Sequence, residues 1–382
     1  MLKKKLSIVA DQQITNVAEL FSVFGEVELA DGRSINKQTI DNADVLLVRS
    51  VTKVNESLLK DSSIRFVGSA TSGIDHVDLD YLRNSNITFK HAPGSNARSV
   101  AEYVLSSLFV LAEQKGFSLQ DKTIGIIGCG QVGSRLKQFM QSLGIKCFLN
   151  DPPRALRDND ELWLELDEVL SADIISLHVP LVFDGDFPTL DLVNRHFLSR
   201  LKPEVVFINS SRGEVVDETA LLEFKQANPD VSLILDVWRN EPNINMELLN
   251  HVEIATPHIA GYSFDGKLKA TKMLFNALCE YTSSQQDVSE PDLSGHEQQL
   301  LELSSGDDLV QLAVLQSYDV RSDAIALRDM IHVPAGEQAA YFDSLRKNYP
   351  VRREFGNTTV KIRDVSTDFS QQLKQLGFNL QT

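Results

Sequence analysis

Most of this chain alternates between short runs of apolar, often β-branched residues and longer segments with helical periodicity. The runs LSIVA, ADVLLV, IRFVGSA and ITF come first, and a long helix is predicted over 97–114. A second series begins at KTIGIIG and continues through IKCFLND, ADIISLHVP, EVVFINS, VSLILDVW and VEIATPH. Such alternation is typical of βαβ units, because strands joined by helical crossovers pair in parallel. The sequence therefore predicts an α/β fold with two doubly wound parallel sheets.

The C-terminal part of the chain has a different pattern. Residues 261–281 have the periodicity of an amphipathic helix, which can cross back to the first sheet. Residues 283–308 are rich in Ser, Asp and Gln, which predicts a linker with at most one short helix. Beyond them the strand-like runs LVQLAVLQ and TTVKIR mix with predicted helices over 339–348 and 369–376. We therefore expect a small C-terminal α+β domain.

Composition and charge exclude several classes of protein. The 37 Lys and Arg against 53 Asp and Glu give a net charge of -16, which argues against a nucleic-acid or anionic-membrane binder. The three cysteines, Cys129, Cys147 and Cys279, are too widely spaced for a disulfide framework or a CxxC metal site, which favours a cytoplasmic location. The chain has no uncharged apolar run of about 18 residues, so we expect no transmembrane helix. The histidines outside the TPH segment show no ligand spacing, and we expect no metal.

One glycine-rich segment has the features of a dinucleotide site. Gly128, Gly130 and Gly133 have GxGxxG spacing between a predicted strand and a predicted helix, as in a Rossmann fold. The first glycine permits a tight turn, the second lets the backbone approach a pyrophosphate, and the third lets helix and strand pack closely. Asp151 ends the next strand, where a carboxylate accepts from the adenosine ribose hydroxyls and disfavours a 2′-phosphate. The pattern predicts NAD as cofactor, although Arg154 is placed where an arginine can accommodate NADP.

Three further segments end predicted strands of the second sheet. They are INSSRGEVVDE with Arg212, LDVWRNEP with Asp236 and Glu241, and ATPHIAGYS with His258. The carboxyl ends of parallel strands line the ligand crevice of an open sheet, so we expect these side chains to lie near the cofactor. With the glycine motif, these segments resemble the signatures of the D-isomer-specific 2-hydroxyacid dehydrogenases.

The resemblance implies oxidation of a 2-hydroxy acid, and the residue types fit that chemistry. His258 is expected to take the hydroxyl proton, because histidine titrates near neutral pH. Glu241 is expected to hydrogen-bond its second ring nitrogen and stabilise the imidazolium. Arg212 is expected to hold the substrate carboxylate and the developing carbonyl through its fork of donors.

The resemblance also implies that the first domain supplies the substrate pocket. Arg49 and Ser50 follow a predicted strand, and Thr71, Ser72 and Gly73 precede a predicted helix N-terminus, where free amides and hydroxyls bind carboxylate or phosphate. Ordinary turn and N-cap chemistry explains any one of these residues equally well.

Over its whole length the chain resembles a branch of the family that acts on a phosphorylated hydroxy acid and forms a homodimer through its C-terminal tail. The implied domains are residues 1–95 with 259–282 for substrate, 96–258 for NAD, a linker over 283–308, and 309–382 for dimerisation. The implied substrate contacts are Arg49, Ser50, Thr71, Ser72, Gly73 and Tyr262. The implied cofactor contacts are Gly128, Gly130, Gln131, Val132, Gly133, Asp151, Val179, Ser210, Ser211, Arg212, Asp236 and Gly261. At Val179 the family often has a hydroxyl that touches the cofactor, so valine offers only backbone and packing.

Several alternatives stay open at this point. The substrate phosphate needs cations, and the candidates are Arg49 and the basic run with Arg346, Lys347, Arg352 and Arg353. A solvated charged face is the ordinary explanation of such a run. Another hydroxy acid, such as 3-phosphoglycerate, is the nearest rival substrate. An NAD-sensing corepressor is a rival from a different class, disfavoured by the acidic charge.

Overall fold

A parallel five-stranded sheet forms the core of the N-terminal part of the chain. The computed structural model describes residues 5–158, 163–284, 299–303, 308–362 and 367–381. The strand order is β2-β1-β3-β4-β5, which is the flavodoxin-like order of a doubly wound sheet. The strands are β1 (Leu6–Asp11), β2 (Gly25–Ala30), β3 (Val45–Val48), β4 (Phe66–Ser69) and β5 (Thr88–His91). Its helices are α1 (Val17–Phe21), α2 (Glu56–Leu59) and α3 (Leu79–Asn84).

Strand β2 was absent from the sequence-based expectation. It pairs with β1 from Leu6↔Gly25 to Asp11↔Ala30, but most of its residues are partly or fully exposed. An edge strand of this kind lacks the continuous apolar run that predicts a buried parallel strand.

The second sheet is also parallel and has six strands in the order β11-β10-β9-β8-β6-β7. Beyond β7, Trp163 forms a single parallel bridge with Leu149, which extends the sheet as a third strand would in the Rossmann order. The switch point lies between β6 and β8. The strands are β6 (Thr123–Ile127), β7 (Lys146–Asn150), β8 (Ile174–Leu177), β9 (Val206–Asn209), β10 (Ser232–Leu235) and β11 (Ile254–Ala255).

Helices follow the strands of this second sheet along the chain. Helix α4 (Ala97–Lys115) confirms the predicted long helix, and Gly116 ends it with φ of 71°. The other helices of this part are α5 (Gln131–Ser142), α6 (Pro152–Asp158), α7 (Leu166–Val169), α8 (Arg195–Leu198), α9 (Glu218–Ala227) and α10 (Met246–His251). Helix α11 (Phe264–Thr282) packs instead in the apolar core of the first sheet, through Leu274, Phe275 and Leu278.

The C-terminal segment contains a third parallel sheet in the order β12-β13-β14. Its strands are β12 (Gln299–Leu303), β13 (Thr358–Ile362) and β14 (Asn379–Gln381). Its helices are α12 (Leu309–Ser317), α13 (Arg321–Arg328), α14 (Gln338–Lys347) and α15 (Thr367–Leu376). The predicted architecture of two doubly wound sheets with a small C-terminal sheet and its helices is confirmed.

Two local expectations in the C-terminal part were wrong. LVQLAVLQ forms helix α12 and not a strand, because Leu309, Val310, Ala313 and Val314 make one buried helical face. An apolar run without clear periodicity does not distinguish a buried strand from a buried helix. The predicted linker contains strand β12, which pairs with β13; positions 285–298 and 304–307 of that linker lie outside the described residues.

By its contacts the chain divides into two compact units. One unit consists of the described residues of 1–96 and 263–297, and the other of those of 97–262 and 298–382. The C-terminal segment thus belongs to the same unit as the second sheet. It shares one apolar core with helices α4 and α5, in which Leu108 and Phe139 lie with Val314, Phe355 and Leu376. Over the described ranges, every helix is too short or too polar to cross a membrane.

Candidate active site

The turn between β6 and α5 has the geometry that the glycine spacing predicted. Gly128 has φ of 86°, and a Cβ there would lie 2.7 Å from the carbonyl carbon of His178. A Cβ on Gly133 would collide with the carbonyl oxygen of Gly128. Gly130 is exposed, and a Cβ there would meet nothing within 4 Å. Gly128 thus makes the turn, Gly130 leaves the backbone open, and Gly133 allows close packing. Gln131 and Val132 begin helix α5.

Asp151 is tied to this turn by hydrogen bonds that no sequence pattern predicts. Its Oδ2 accepts from the Cys129 amide at 2.7 Å, and its Oδ1 accepts from the Arg154 amide at 3.1 Å. Arg154 donates from Nη1 to the Cys129 carbonyl at 2.5 Å and pairs with Asp158 at 2.9 Å. Its guanidinium carbon lies 5.0 Å from the centroid of the Trp163 ring. Asp151 therefore fixes the glycine turn, and the charge of Arg154 is already partnered.

The end of β8 packs behind the first glycine. The ring of His178 lies with Nε2 2.9 Å from Ser176 Oγ, and desolvation lowers the pKa of His178 to about 3, so the ring is neutral. Its amide donates to Ile127 O at 2.8 Å. Val179 follows on this strand end and is half-buried.

The turn after β9 places Arg212. Asn209 organises it, because its Oδ1 accepts from the Ser211 amide at 3.0 Å and its Nδ2 donates to Arg212 O at 2.9 Å. A Cβ on Gly213 would collide with the backbone of Trp238, so this turn packs directly on the segment that leads to Glu241. Asn209 is a supporting residue that the motif contained and the site prediction left out.

Glu241 and His258 are in contact, as the family resemblance implied. His258 Nδ1 lies 2.8 Å from Glu241 Oε2, and Glu241 Oε1 accepts from the Trp238 amide at 2.9 Å. Burial raises the pKa of Glu241, but His258, Arg346 and the Trp238 amide outweigh it, so the net shift is downward. An ionised carboxylate only accepts hydrogen bonds, so Nδ1 carries the proton and Nε2 is the basic nitrogen.

His258 lies on a strained loop, residues 256–262, which we call the His258 loop. The backbone of His258 has φ of 58°, an uncommon conformation for a residue with a side chain, and its amide donates to Asp236 O at 2.7 Å. The side chain of His258 is 34% exposed, so the imidazole is accessible to a substrate.

The Asp236 carboxylate fixes the same loop through hydrogen bonds. Its Oδ1 accepts from Thr256 Oγ1 at 2.7 Å and from the Ile259 amide at 2.8 Å, and its Oδ2 accepts from the Ala260 amide at 2.9 Å. Asp236 is 1% exposed. The buried carboxylate fixes the residues on both sides of His258. Asp236 therefore has a structural role besides its predicted role as a cofactor contact.

The end of the His258 loop contacts the C-terminal segment through Ala260 and Tyr262, and Gly261 lies between these two residues. Arg346 Nη2 donates to Tyr262 Oη at 3.1 Å, and Arg352 Nη1 donates to Ala260 O at 3.1 Å. Arg352 is 6% exposed. The basic run is therefore not simply a solvated face, because these two arginines point into the fold.

The predicted substrate residues of the first unit are positioned by local hydrogen bonds. Arg49 Nε pairs with the buried Asp11 at 3.0 Å, and Ser50 is exposed beside it. Thr71 Oγ1 donates to Gly73 O at 2.7 Å, and Ser72 Oγ donates to Asn96 Oδ1 at 2.8 Å.

Residues 71–73 precede helix α3, as predicted, but a turn segment separates them from its first residue. Helix α3 begins only at Leu79, where the Asp78 side chain accepts from the Tyr81 amide as the N-cap. The chain between Gly73 and Asp78 is a turn segment in which Val77 bridges to Val54. The hydroxyls of Thr71 and Ser72 are what this segment offers to a ligand.

The residues of the second unit fit a dinucleotide. Gly130 leaves the backbone open at the N-terminus of α5, and Ser210 Oγ is buried without a hydrogen-bond partner among the described residues. An orphaned buried hydroxyl is costly unless a ligand satisfies it. No cluster of three or more His, Cys, Asp or Glu side chains suited to a metal ion occurs in the described part of the chain.

Comparison with known proteins agrees with this arrangement. Residues 97–260 match the family model of the NAD binding domain of D-isomer specific 2-hydroxyacid dehydrogenases, and residues 296–377 match a domain of unknown function. The fold is similar to that of NAD⁺-bound 3-phosphoglycerate dehydrogenase from Entamoeba histolytica, with 24% identity and a TM-score of 0.63 over 75% of this chain and 99% of that one.

Two curated relatives match almost the whole chain. Erythronate-4-phosphate dehydrogenase of Hahella chejuensis is 43% identical over 98% of this chain and 99% of its own. The Salmonella arizonae protein of the same name is 45% identical, over 98% of each. The chain therefore belongs to the D-isomer-specific 2-hydroxyacid dehydrogenase family, as its motifs predicted, and it uses NAD. Within that family, erythronate-4-phosphate dehydrogenases match it over nearly its full length.

Proposed function

We propose that this enzyme oxidises 4-phospho-D-erythronate at C2, giving 2-oxo-3-hydroxy-4-phosphobutanoate, as a step of pyridoxal 5′-phosphate biosynthesis. The observation that carries the proposal is the extent of the similarity. Relatives named for this substrate match 98% of the chain, including the C-terminal segment. The solved 3-phosphoglycerate dehydrogenase covers 75% of the chain.

The Glu241–His258 pair supplies the proton chemistry of this proposal. Nε2 of His258 takes the proton of the C2 hydroxyl, and the 2.8 Å contact with Glu241 stabilises the imidazolium that forms. NAD held in the second unit would supply the acceptor for the hydride of C2. Glu241 also fixes the ring orientation, so the basic nitrogen is already presented when substrate binds.

Arg212 is proposed to hold the substrate carboxylate and the oxygen at C2. Its guanidinium donates from Nη1 to Ser211 O at 2.7 Å, which fixes the plane of the fork. A planar fork suits two oxygens of one substrate better than the point charge of a lysine.

The cofactor is proposed to lie along the carboxyl ends of β6 to β10. Gly128, Gly130 and Gly133 with Gln131 and Val132 would hold the pyrophosphate, and Asp151 the adenosine ribose. Val179, Ser210, Ser211, Asp236 and Gly261 would line the remainder. The open backbone at Gly130 and the buried hydroxyl of Ser210 support this assignment.

The substrate phosphate is proposed to bind Arg49, and Ser50, Thr71, Ser72, Gly73 and Tyr262 are proposed as further substrate contacts. The ion pair with Asp11 holds the Arg49 side chain in place. Between the two earlier candidates, we favour Arg49, because Arg346 and Arg352 of the basic run are already engaged by the His258 loop.

A reducing compartment, the cytoplasm, fits the cysteines. All three are free thiols, and burial raises the pKa of Cys129 to about 12 and that of Cys147 to about 11. Such thiols are poor nucleophiles and do not form disulfides readily.

The test is NADH production by the purified chain with a panel of acids: 4-phospho-D-erythronate, D-erythronate, 3-phosphoglycerate and D-lactate. We expect the highest kcat/KM with the first. Comparison with D-erythronate isolates the contribution of the phosphate. Higher kcat/KM with 3-phosphoglycerate would contradict the substrate assignment, and tight NADH binding without turnover of any 2-hydroxy acid would point to a sensor.

A further inference from the structure

The C-terminal segment contacts the His258 loop at several points, although it lies outside the family model of residues 97–260. Arg346, in the last turn of α14, donates to the Tyr262 hydroxyl at 3.1 Å, and its guanidinium carbon lies 5.7 Å from the centroid of that ring. The Tyr349 ring packs edge-on against the same ring, with centroids 5.8 Å apart. Arg352 adds its hydrogen bond to Ala260 O. The loop that carries His258 is thus held from a segment more than 80 residues further along the chain.

The charge of Arg346 acts on the Glu241–His258 pair. Its attraction is one of the causes that lower the pKa of Glu241. Arg346 Nε is buried without a hydrogen-bond partner in the described part of the chain. The desolvation cost of such a half-buried cation is offset by the nearby Glu241, Tyr262 and Asp343.

Other charged groups also face this pair. Asp236 lies beside His258, and Glu218 lies near Glu241 and repels its charge. Arg346 provides an opposing positive charge near Glu241. Without it, the repulsion from Glu218 would favour protonation of Glu241.

We propose that Arg346 is a positioning residue for the dehydrogenase reaction, which orients Tyr262 and places a positive charge near Glu241. The inference rests on the proposed roles of Glu241 and His258. The C-terminal segment is then part of the catalytic apparatus of this enzyme, besides any role in assembly. A neutral residue at position 346 would remove this charge, favour protonation of Glu241 and free the Tyr262 side chain.

The test uses the full chain and compares Arg346→Gln, Arg346→Lys and Lys374→Gln. Lys374 is exposed on α15 of the same segment and matches the change in charge. Rates of NADH production from 4-phospho-D-erythronate are measured from pH 6 to 10. In Arg346→Gln, we expect the acid limb of the kcat profile to move up by about half a pH unit or more, because a cation no longer opposes protonation. We also expect kcat at pH 7 to fall about tenfold with KM changed less than about threefold.

The lysine variant should restore the acid limb, because it restores the charge, and Lys374→Gln should match the parent. NADH affinity and thermal midpoint are measured for each variant. If Arg346→Gln does not fold, Arg346→Met, which keeps the apolar stem of the side chain, serves as the second neutral variant.

Three results would overturn the inference. They are an unchanged profile, a fall in kcat at every pH without movement of the acid limb, and a rise in KM alone, which would make Arg346 a substrate contact. His258→Asn separates this inference from the proposed function. Parental turnover in His258→Asn would remove the base assignment itself, whereas an inactive His258→Asn beside parental Arg346 variants would remove only the role of Arg346.

Discussion

Polar side chains at the strand ends of the second unit fix the backbone of turns that are proposed to hold the ligands. Asp151 accepts from the Cys129 amide of the glycine turn and from the Arg154 amide, and Asp236 accepts from two amides of the His258 loop. Asn209 organises the turn of Arg212 in the same way. Since these residues fix turns that carry proposed ligand contacts, substitutions here are expected to combine effects on binding and on local structure.

At His258 the two effects can be separated. We expect His258→Asn to lower kcat by about 10²–10⁴, because general base catalysis contributes that much, while NAD binding is retained. Asparagine also tolerates the positive φ of 58° better than most residues, so the loop should be preserved. Steady-state rates at saturating substrate measure kcat, and NADH titration measures cofactor binding. Near-parental turnover at neutral pH would exclude His258 as the base.

Asp151→Ser tests the preference for NAD over NADP. Removing the carboxylate relieves its repulsion of a 2′-phosphate, so the ratio of kcat/KM for the two cofactors should move toward NADP. The structure limits the size of the change for two reasons. The Cys129 amide loses its hydrogen bond to the Asp151 side chain, and Arg154 stays paired with Asp158. We therefore expect loss of NAD efficiency to account for most of the shift. An unchanged ratio would contradict the placement of Asp151 beside the ribose.

At the scale of elements, helix α4 shows how packing overrides local pattern. Fifteen of its 19 residues are buried, because the second sheet and the C-terminal segment both cover it. Glu102 is buried among them, with Oε1 accepting from the Phe355 amide at 2.9 Å. Burial, followed by repulsion from Glu354, raises the pKa of Glu102 to about 8, although Arg352, that amide and Arg98 oppose the shift. The helical periodicity of this segment does not predict that Glu102 is buried.

Glu102 should make stability fall as pH rises. The folded chain binds this proton more tightly than the unfolded chain, so the stabilisation is complete below pH about 4.5 and is lost as pH rises through about 8. The Glu102→Gln variant has no ionisable group at this position. Its free energy of unfolding relative to that of the parent should therefore be higher at pH 9 than at pH 5. Urea unfolding at the two pH values measures this.

The matched control is Glu113→Gln, an exposed residue at the end of the same helix. We expect it to keep the pH dependence of the parent, since surface ion pairs contribute little. Equal pH dependence in the parent and Glu102→Gln would show that Glu102 is ionised in the folded chain.

At the scale of the whole molecule, the C-terminal segment has two faces. One shares the core of the second sheet and holds the His258 loop through Arg346 and Arg352. Its outer residues include the exposed Leu300, Ile325 and Val351. Scattered exposed apolar residues are ordinary, so this feature supports an interface only together with the family resemblance.

We expect the full chain to sediment as a homodimer at micromolar concentration. Charge substitutions at Ile325 and Val351, which are 63% exposed, should shift it toward monomer without altering the unfolding midpoint of the monomeric form. The control is Leu156→Lys, which is 77% exposed on α6, outside the C-terminal segment. A monomeric parent would exclude the dimerisation role of residues 309–382.

Short-range sequence patterns determined much of this protein. The spacing of Gly128, Gly130 and Gly133 predicted which glycine turns, which opens and which packs, because these demands arise within one βα connection. Strand alternation predicted both large parallel sheets. The motifs around Arg212, Glu241 and His258 predicted the family and the contact between the last two.

Only the tertiary structure decided what depends on distant partners. Helix α12, strand β12, the buried Glu102 and the inward-facing Arg346 and Arg352 each owe their state to residues far along the chain; Arg352, for example, reaches Ala260 and Ser99, 92 and 253 positions away. Local composition made the C-terminal basic run look like a solvated face, because charged residues usually are. Burial and pairing are properties of the packed molecule, and for this reason the link from the C-terminal segment to His258 was visible only in three dimensions.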